Sequence, residues 1–336
     1  MPVHLPGLPA GRGGYDFGMT EYGIHASHEQ IPPAELLAAV VAAERAGFDA
    51  AMCSDHFSPW SARQGQSAFA WSWLGAALQA TSLSFGVVNA PGQRYHPAII
   101  AQAIGTLGAM YPGRFWAALG SGEYSNEHVT GEPWPRKEVR EERLLECVGV
   151  IRGLLAGEEV TRDGLVKVDR AKLWTRPGTA PALIGAAVST RTAAWCAGWA
   201  DGLVTVNAPE EHLRAMLAAY RNAGGRGPTA LQVHLSWAPT EAAAEAIAHD
   251  QWRSNVFTPP ICWDLETVEH FDVVSENVTL EQVREVVNIS ADPQRHIEWL
   301  RGYAALGFDR IYLHHVGQDL RPFVETFGAK VLPALR

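Results

Sequence analysis

Short apolar runs alternate with stretches of helical period along most of this chain. From about residue 20, "EYGIHAS" reads as a strand, and "PPAELLAAVVAAERAG" follows as an amphipathic helix opened by proline and stopped at Gly47. "FDAAMCSD", "LSFGVVNA" and "RFWAALGSGE" are further strands, each followed by a helical segment: "FAWSWLGAALQAT", "RYHPAIIAQAIGTLGAM" and "REERLLECVGVIRGLLAG". "GLVKVDRAKLWTRPG" breaks the rhythm as a hairpin or short insertion. "PALIGAA", "DGLVTVNA" and "TALQVHLSWAP" restore it, with helices after each. Residues 257–290 are less regular and read as two short helices, one at "TLEQVREVV". An eighth strand, near 310–315, lies between "HIEWLRGYAALG" and "LRPFVETFGAKVLPAL".

Eight strand–helix units in one chain predict an α/β fold, a closed (β/α)8 TIM barrel with insertions. A doubly wound open sheet is the alternative, but no G-x-G-x-x-G follows the first strand. The expected division is an extension at 1–18 and one barrel domain at 19–336, with insertions at about 156–180 and 255–290.

In such a barrel the chemistry sits at the C-terminal ends of the strands, which selects the residues to read. The second strand delivers Asp55 and His56, with Trp60 close behind; histidine exchanges a proton near neutral pH. The fourth ends in Gly120, Ser121, Gly122 and Glu123, followed by Asn126. Glycines there let backbone N–H groups approach a ligand, and Glu123 is a candidate acid. The third ends at Asn89 and Ala90, with Arg94 beyond. The first places His25, Ser27, His28 and Glu29 at one wall. Ser189 and Thr190 open a helix, either as a phosphate receiver or as an ordinary cap. Thr205, Asn207, His314 and His315 come from later strand ends. Trp71 and Trp73, two apart on one helix, face different sides and suit core packing.

Composition narrows the class. With 36 acidic against 27 basic residues and no Lys/Arg run, a nucleic-acid partner is not expected. Cys53, Cys147, Cys196 and Cys262 are scattered without CxxC spacing, as in reduced cytoplasmic proteins. Neither a signal peptide nor a membrane span is expected. No metal is expected either, since His25 and His28 lack the helical H-E-x-x-H spacing.

The stretch "DHFSPW", with "FGVVNAPGQRYHPAIIAQAIGTLGAMYPGRFWAALGSGEYSNEHVTG", resembles the luciferase-like superfamily of flavin- and deazaflavin-dependent oxidoreductases. It is most similar to the branch containing F420-dependent glucose-6-phosphate dehydrogenase. The resemblance implies a luciferase-like barrel and F420 or FMN as cofactor. It implies His56 and Glu123 as the proton-handling pair and Trp60 as an apolar wall of the reacting face. It sets Asp55, Asn89, Ala90, Gly120, Ser121, Gly122 and Asn126 beside the cofactor, and implies a homodimer. The positions matching the sugar-phosphate pocket, Pro209, the "NVFTPPICWDLE" block and Val286, carry no Lys or Arg; Arg253 and Arg284 are the nearby cations. The expected activity is therefore hydride transfer between a small organic substrate and F420 or a flavin, not specific for glucose 6-phosphate. The alternatives are an FMN-dependent monooxygenase or reductase, a non-catalytic barrel that binds a flavin or metabolite, and a metal-dependent hydrolase using the strand-end histidines.

Overall fold

The computed structural model describes residues 20–336, so the extension at 1–18 lies outside the described residues. Eleven strands are present among them: β1 (Glu21–Ala26), β2 (Ala50–Ser54), β3 (Ser84–Asn89), β4 (Phe115–Leu119), β5 (Val160–Asp163), β6 (Lys167–Ala171), β7 (Ala182–Ala186), β8 (Leu203–Val206), β9 (Thr229–Ser236), β10 (Asn288–Ile289) and β11 (Arg310–His315). Eight of them pair in parallel in the order β1-β2-β3-β4-β7-β8-β9-β11. The β11–β1 and β8–β9 pairings complete the ring. This is a closed (β/α)8 barrel. β5 and β6 form a separate antiparallel hairpin, and β10 adds a short rung to β9.

The period of two along each strand sorts the side chains. On β2, Ala51 and Cys53 face the helical layer and join the large outer core. Ala50 and Met52 face inward, where they meet Trp116, Ala118, Ile184, Val204, Ala230 and Tyr312 in an apolar plug. Helices Pro33–Arg45, Ala70–Ala80, Pro97–Met110, Lys137–Ala156, Thr190–Cys196, Glu210–Asn222, Glu241–Trp252 and Pro293–Ala305 follow the strands and cover the outside. Three of these begin with proline, Pro33, Pro97 and Pro293, the first as the sequence marks it. Trp71 and Trp73 are both buried, and their indoles diverge: Trp71 donates to Asp55 and Trp73 to the Pro33 carbonyl.

The block after helix Glu241–Trp252 holds three short helices rather than two, at Ile261–Asp264, Val268–Val274 and Leu280–Arg284. The third is nucleated by a capping box between Thr279 and Gln282. These pieces lie over the barrel mouth and bring Cys262 and Val286 to its cavity. No described helix is long and apolar enough to cross a membrane.

Candidate active site

Above the apolar plug the inward rungs turn polar, with His25 on β1, Ser54 on β2, Gln232 and His234 on β9 and His314 on β11. They floor a cavity of about 400 Å³ at the C-terminal ends of the strands. Its walls gather Asp55, His56, Trp60, Asn89, Ala90, Gly120, Ser121, Gly122, Glu123, Asn126, Thr205 and Asn207, which the sequence had selected from separate strand ends.

His56 is the centre of the charge arrangement. Its Nδ1 lies 2.6 Å from Oε1 of Glu29, and its Nε2 lies 3.8 Å from Oε2 of Glu123. Burial opposes protonation of His56, but the Glu29 carboxylate outweighs it and Glu123 adds to the effect. The imidazole therefore titrates above its ordinary value. Burial likewise opposes ionisation of Glu29, and the imidazole overcomes it, holding that carboxyl down at about 2. Glu123 differs: burial raises it, and His56 only partly compensates. One carboxylate is thus fixed as an anion behind the ring, while the other, half open to the cavity, takes up a proton more readily.

The surroundings hold this set in place. Trp60 meets His56 edge-on at 5.2 Å and is backed by Phe271 at the same distance. Asn126 receives the Phe57 N–H at 2.7 Å on Oδ1, and its Nδ2 donates to Glu123 at 3.3 Å. It therefore brackets the loops after β2 and β4, and most of its amide is spent on the protein. Asp55 accepts from Trp71 and from Asn89 Nδ2, both at 2.9 Å, and has Arg94 at 3.7 Å. Gly122 takes φ +84°, and a Cβ there would come within 3.2 Å of Glu127, so the turn that presents Glu123 suits glycine.

Three expectations change. Ser27 does not reach the cavity; its hydroxyl donates to Glu29 Oε2 at 2.8 Å and steadies that carboxylate from behind. Ser189 and Thr190 do not line it either. Ser189 caps its helix by accepting from the Thr192 N–H, Thr190 is exposed, and the next turn places Thr192 at the cavity. Arg253 and Arg284 are also absent from the walls, and Arg284 is paired with Glu245. Of the histidines weighed for a metal, His28 packs against Trp73 and His315 stacks on Phe323, while His25 stacks on His314 at 4.2 Å. No group of three or more His, Cys, Asp or Glu among the described residues is arranged to hold a metal.

Sequence reasoning passed over Lys137, Thr192, Gln232, His234, Trp252 and Trp263 as site residues, and it named Glu29 only as part of one wall. Lys137, the first residue of its helix, lies 3.8 Å from Glu141 and over the Trp263 ring. Arg94 and Lys137 are the lining Arg and Lys residues among those described, and Arg94 is held near the buried carboxylates of Asp55 and Glu127. Two features accommodate a flat heterocycle along β3, β4 and β7. Asn89 Oδ1 is buried without a protein partner, and Gly120 leaves open the space in which a Cβ would sit 3.7 Å from Ala186.

Residues 17–310 match the family described as luciferase-like monooxygenase. The chain belongs to that family. It is accordingly an oxidoreductase. An F420-dependent glucose-6-phosphate dehydrogenase of Nakamurella multipartita is 35% identical over 333 residues, covering 94% of this chain and 96% of that protein. Among solved structures of the family's fold, an F420-dependent secondary alcohol dehydrogenase bound to an F420–acetone adduct superposes with a TM-score of 0.87. It is 30% identical and covers 95% of this chain and all (100%) of that one. A monooxygenase from Streptomyces bottropensis, 17% identical with a TM-score of 0.72 over 94% of this chain and 100% of its own, shares the fold alone.

Proposed function

We propose that this protein oxidises an uncharged secondary alcohol, or reduces the matching ketone, with F420 as hydride partner. The observation that carries the reading is the His56 arrangement. With Nδ1 facing an ionised Glu29, the neutral ring presents a bare Nε2 to the cavity beside Glu123. A substrate hydroxyl placed there gives its proton to Nε2 as the carbinol carbon loses hydride, and Glu29 stabilises the imidazolium that results. Glu123 orients the hydroxyl and, through Asn126, keeps register with the loop that carries His56. Trp60 closes the apolar side and excludes water. The bound deazaflavin supplies hydride acceptance and donation. Asn89, Ala90, Gly120, Ser121 and Gly122 would hold its ring, with Lys137 and Thr192 at the end nearest β7.

A sugar phosphate fits this cavity poorly. Pro209 does not line it, Val286 lines it without charge, and the walls contributed from β8 onward carry no Lys or Arg among the described residues. A phosphate dianion there would lack charge-assisted partners.

The test is turnover of cyclohexanol, isopropanol and glucose 6-phosphate, followed by F420 absorbance, beside titrations with F420 and FMN. Oxidation of the neutral alcohols is expected, with His56→Asn lowering kcat by roughly 100- to 10,000-fold. Preferred use of glucose 6-phosphate would remove the substrate class. Tight FMN binding with oxygen consumption, and none with F420, would replace the reading by an FMN-dependent monooxygenase.

A further inference from the structure

One hydrogen-bond chain beneath the cavity has a direction that the protein itself fixes. Gln30 Nε2 donates to the Val316 carbonyl, which can only accept, so Gln30 Oε1 faces His314 Nε2 at 3.0 Å. His314 must then carry its proton on Nε2, which leaves Nδ1 bare. That nitrogen receives Gln232 Nε2 at 3.1 Å. The same amide nitrogen lies 3.1 Å from His234 Nε2 and gives it the second proton. His234 is thereby left as the Nδ1–H tautomer. Burial holds His314 well below its ordinary pKa and His234 at about 3, in keeping with neutral rings throughout.

The chain ends in two unused groups, the His234 Nδ1–H donor and the Gln232 Oε1 acceptor. Neither has a protein partner among the described residues, and neither is among the atoms sealed away without one. Both residues line the cavity, and Trp252 flanks His234 at 4.7 Å between ring centres. In the ring of eight, β9 stands opposite β3, and β11 opposite β4. The pair therefore faces the cavity from the side away from Asn89 and Gly120.

We infer that His234 and Gln232 form a specificity site for a second, uncharged hydrogen-bonding group on the substrate, such as a hydroxyl remote from the one that reacts at His56. The inference deepens the alcohol-oxidation reading and rests on it for the substrate class. A hydroxyl suits the site because it accepts from Nδ1–H and donates to Oε1 at once. A carboxylate or phosphate would meet the acceptor oxygen with no proton to share.

The probes are cyclohexanol and 1,4-cyclohexanediol, which differ by that one group. In the wild-type enzyme the diol is expected to have the higher kcat/KM, by roughly three- to tenfold, the scale of one net neutral hydrogen bond. In His234→Phe the ratio falls to about one whatever the absolute rates, and His234→Gln, which keeps a donor, restores part of it. Nitrogen NMR of isotopically labelled histidine provides an arm independent of turnover. His234 is expected as the Nδ1–H tautomer, with a signal that moves on adding the diol and not cyclohexanol. An equal ratio for the two alcohols in wild type, a ratio unmoved by His234→Phe, or an Nε2–H tautomer would overturn the inference. If neither alcohol is turned over, the catalytic reading falls by itself. The NMR arm then decides this one: a diol-specific shift upholds it, and the lack of one overturns it.

Discussion

Glu29 sets the working range of His56. The imidazole titrates above its ordinary value because a fixed carboxylate lies 2.6 Å away, so alcohol oxidation, which needs the neutral ring, is expected to rise through that elevated pKa as pH increases. Glu29→Gln should move the acid limb of the kcat profile to lower pH and depress the plateau, since only Glu123, 3.8 Å away, then steadies the imidazolium. A limb that stays in place would show that another group controls the rate. Stability follows the same pair with a definite sign. The raised histidine contributes fully below its unfolded value of 6.5 and loses its contribution as pH climbs through the folded pKa. The depressed Glu29 contributes above its ordinary 4.5 and loses its share as pH falls toward about 2. The variant should therefore lose most stability between these two ordinary values, as read by denaturation midpoints across pH. Sequence reasoning placed Glu29 at the first strand end without seeing this role, because the pairing is a matter of register. Ala26 lies opposite Cys53, and Glu29 and His56 each stand three residues further on. No local pattern announces such a partner.

At the scale of strands and helices, the polar floor depends on the apolar plug below it. Gly86 on β3 admits the Trp116 indole from β4; a Cβ at that position would lie 1.9 Å from a ring carbon. Trp116 is itself packed near Tyr312, ring centres 6.0 Å apart, and its other neighbour is a second cavity of about 180 Å³ at the strand starts. Gly86→Ala is expected to cost about 3 kcal/mol, an overpacking penalty measurable by urea denaturation. Adding Trp116→Leu should return part of it. Full stability in the single variant would mean that the barrel interior yields more easily than this packing implies. The eight strands were legible because apolar runs and helical periods alternate strongly, and the hairpin at 160–171 because that rhythm stops there. The segments over the mouth were less so. Their helices are four, seven and five residues long, too short to carry a full apolar stripe, and two of them start at the threonine caps Thr267 and Thr279. Ser189 shows the converse limit: a cap and a phosphate receiver look alike in sequence, and only the geometry shows its oxygen turned back to Thr192.

For the whole molecule, we propose that charge governs which substrates the barrel admits. The chain carries a formal charge of -9, and its cavity is lined by Glu29, Asp55, Glu123, Glu127 and Glu141 against Arg94 and Lys137. An anion approaching such a surface is opposed at long range and, among the described residues, meets no lining Lys or Arg on the β8–β11 side. Two proteins that each match this chain over most of its length carry different substrate names, a sugar phosphate in one and a secondary alcohol in the other. The same scaffold thus serves different substrates, and in this chain the far wall is the place to test what sets the choice. Val286 tests this directly. It lines the cavity, is only partly buried, and its carbonyl is tied to Asn207 at 3.1 Å, so its side chain can change without breaking that backbone contact. Val286→Lys should raise kcat/KM for glucose 6-phosphate relative to cyclohexanol by roughly tenfold, the scale of one charge-assisted hydrogen bond. The gain should shrink as salt is added, because a partly exposed pair is screened. A relative gain that survives high salt would point to altered shape rather than charge. No gain at all would mean that the bar to phosphates lies elsewhere, in the acidic groups around His56 rather than in the missing cation of the far wall.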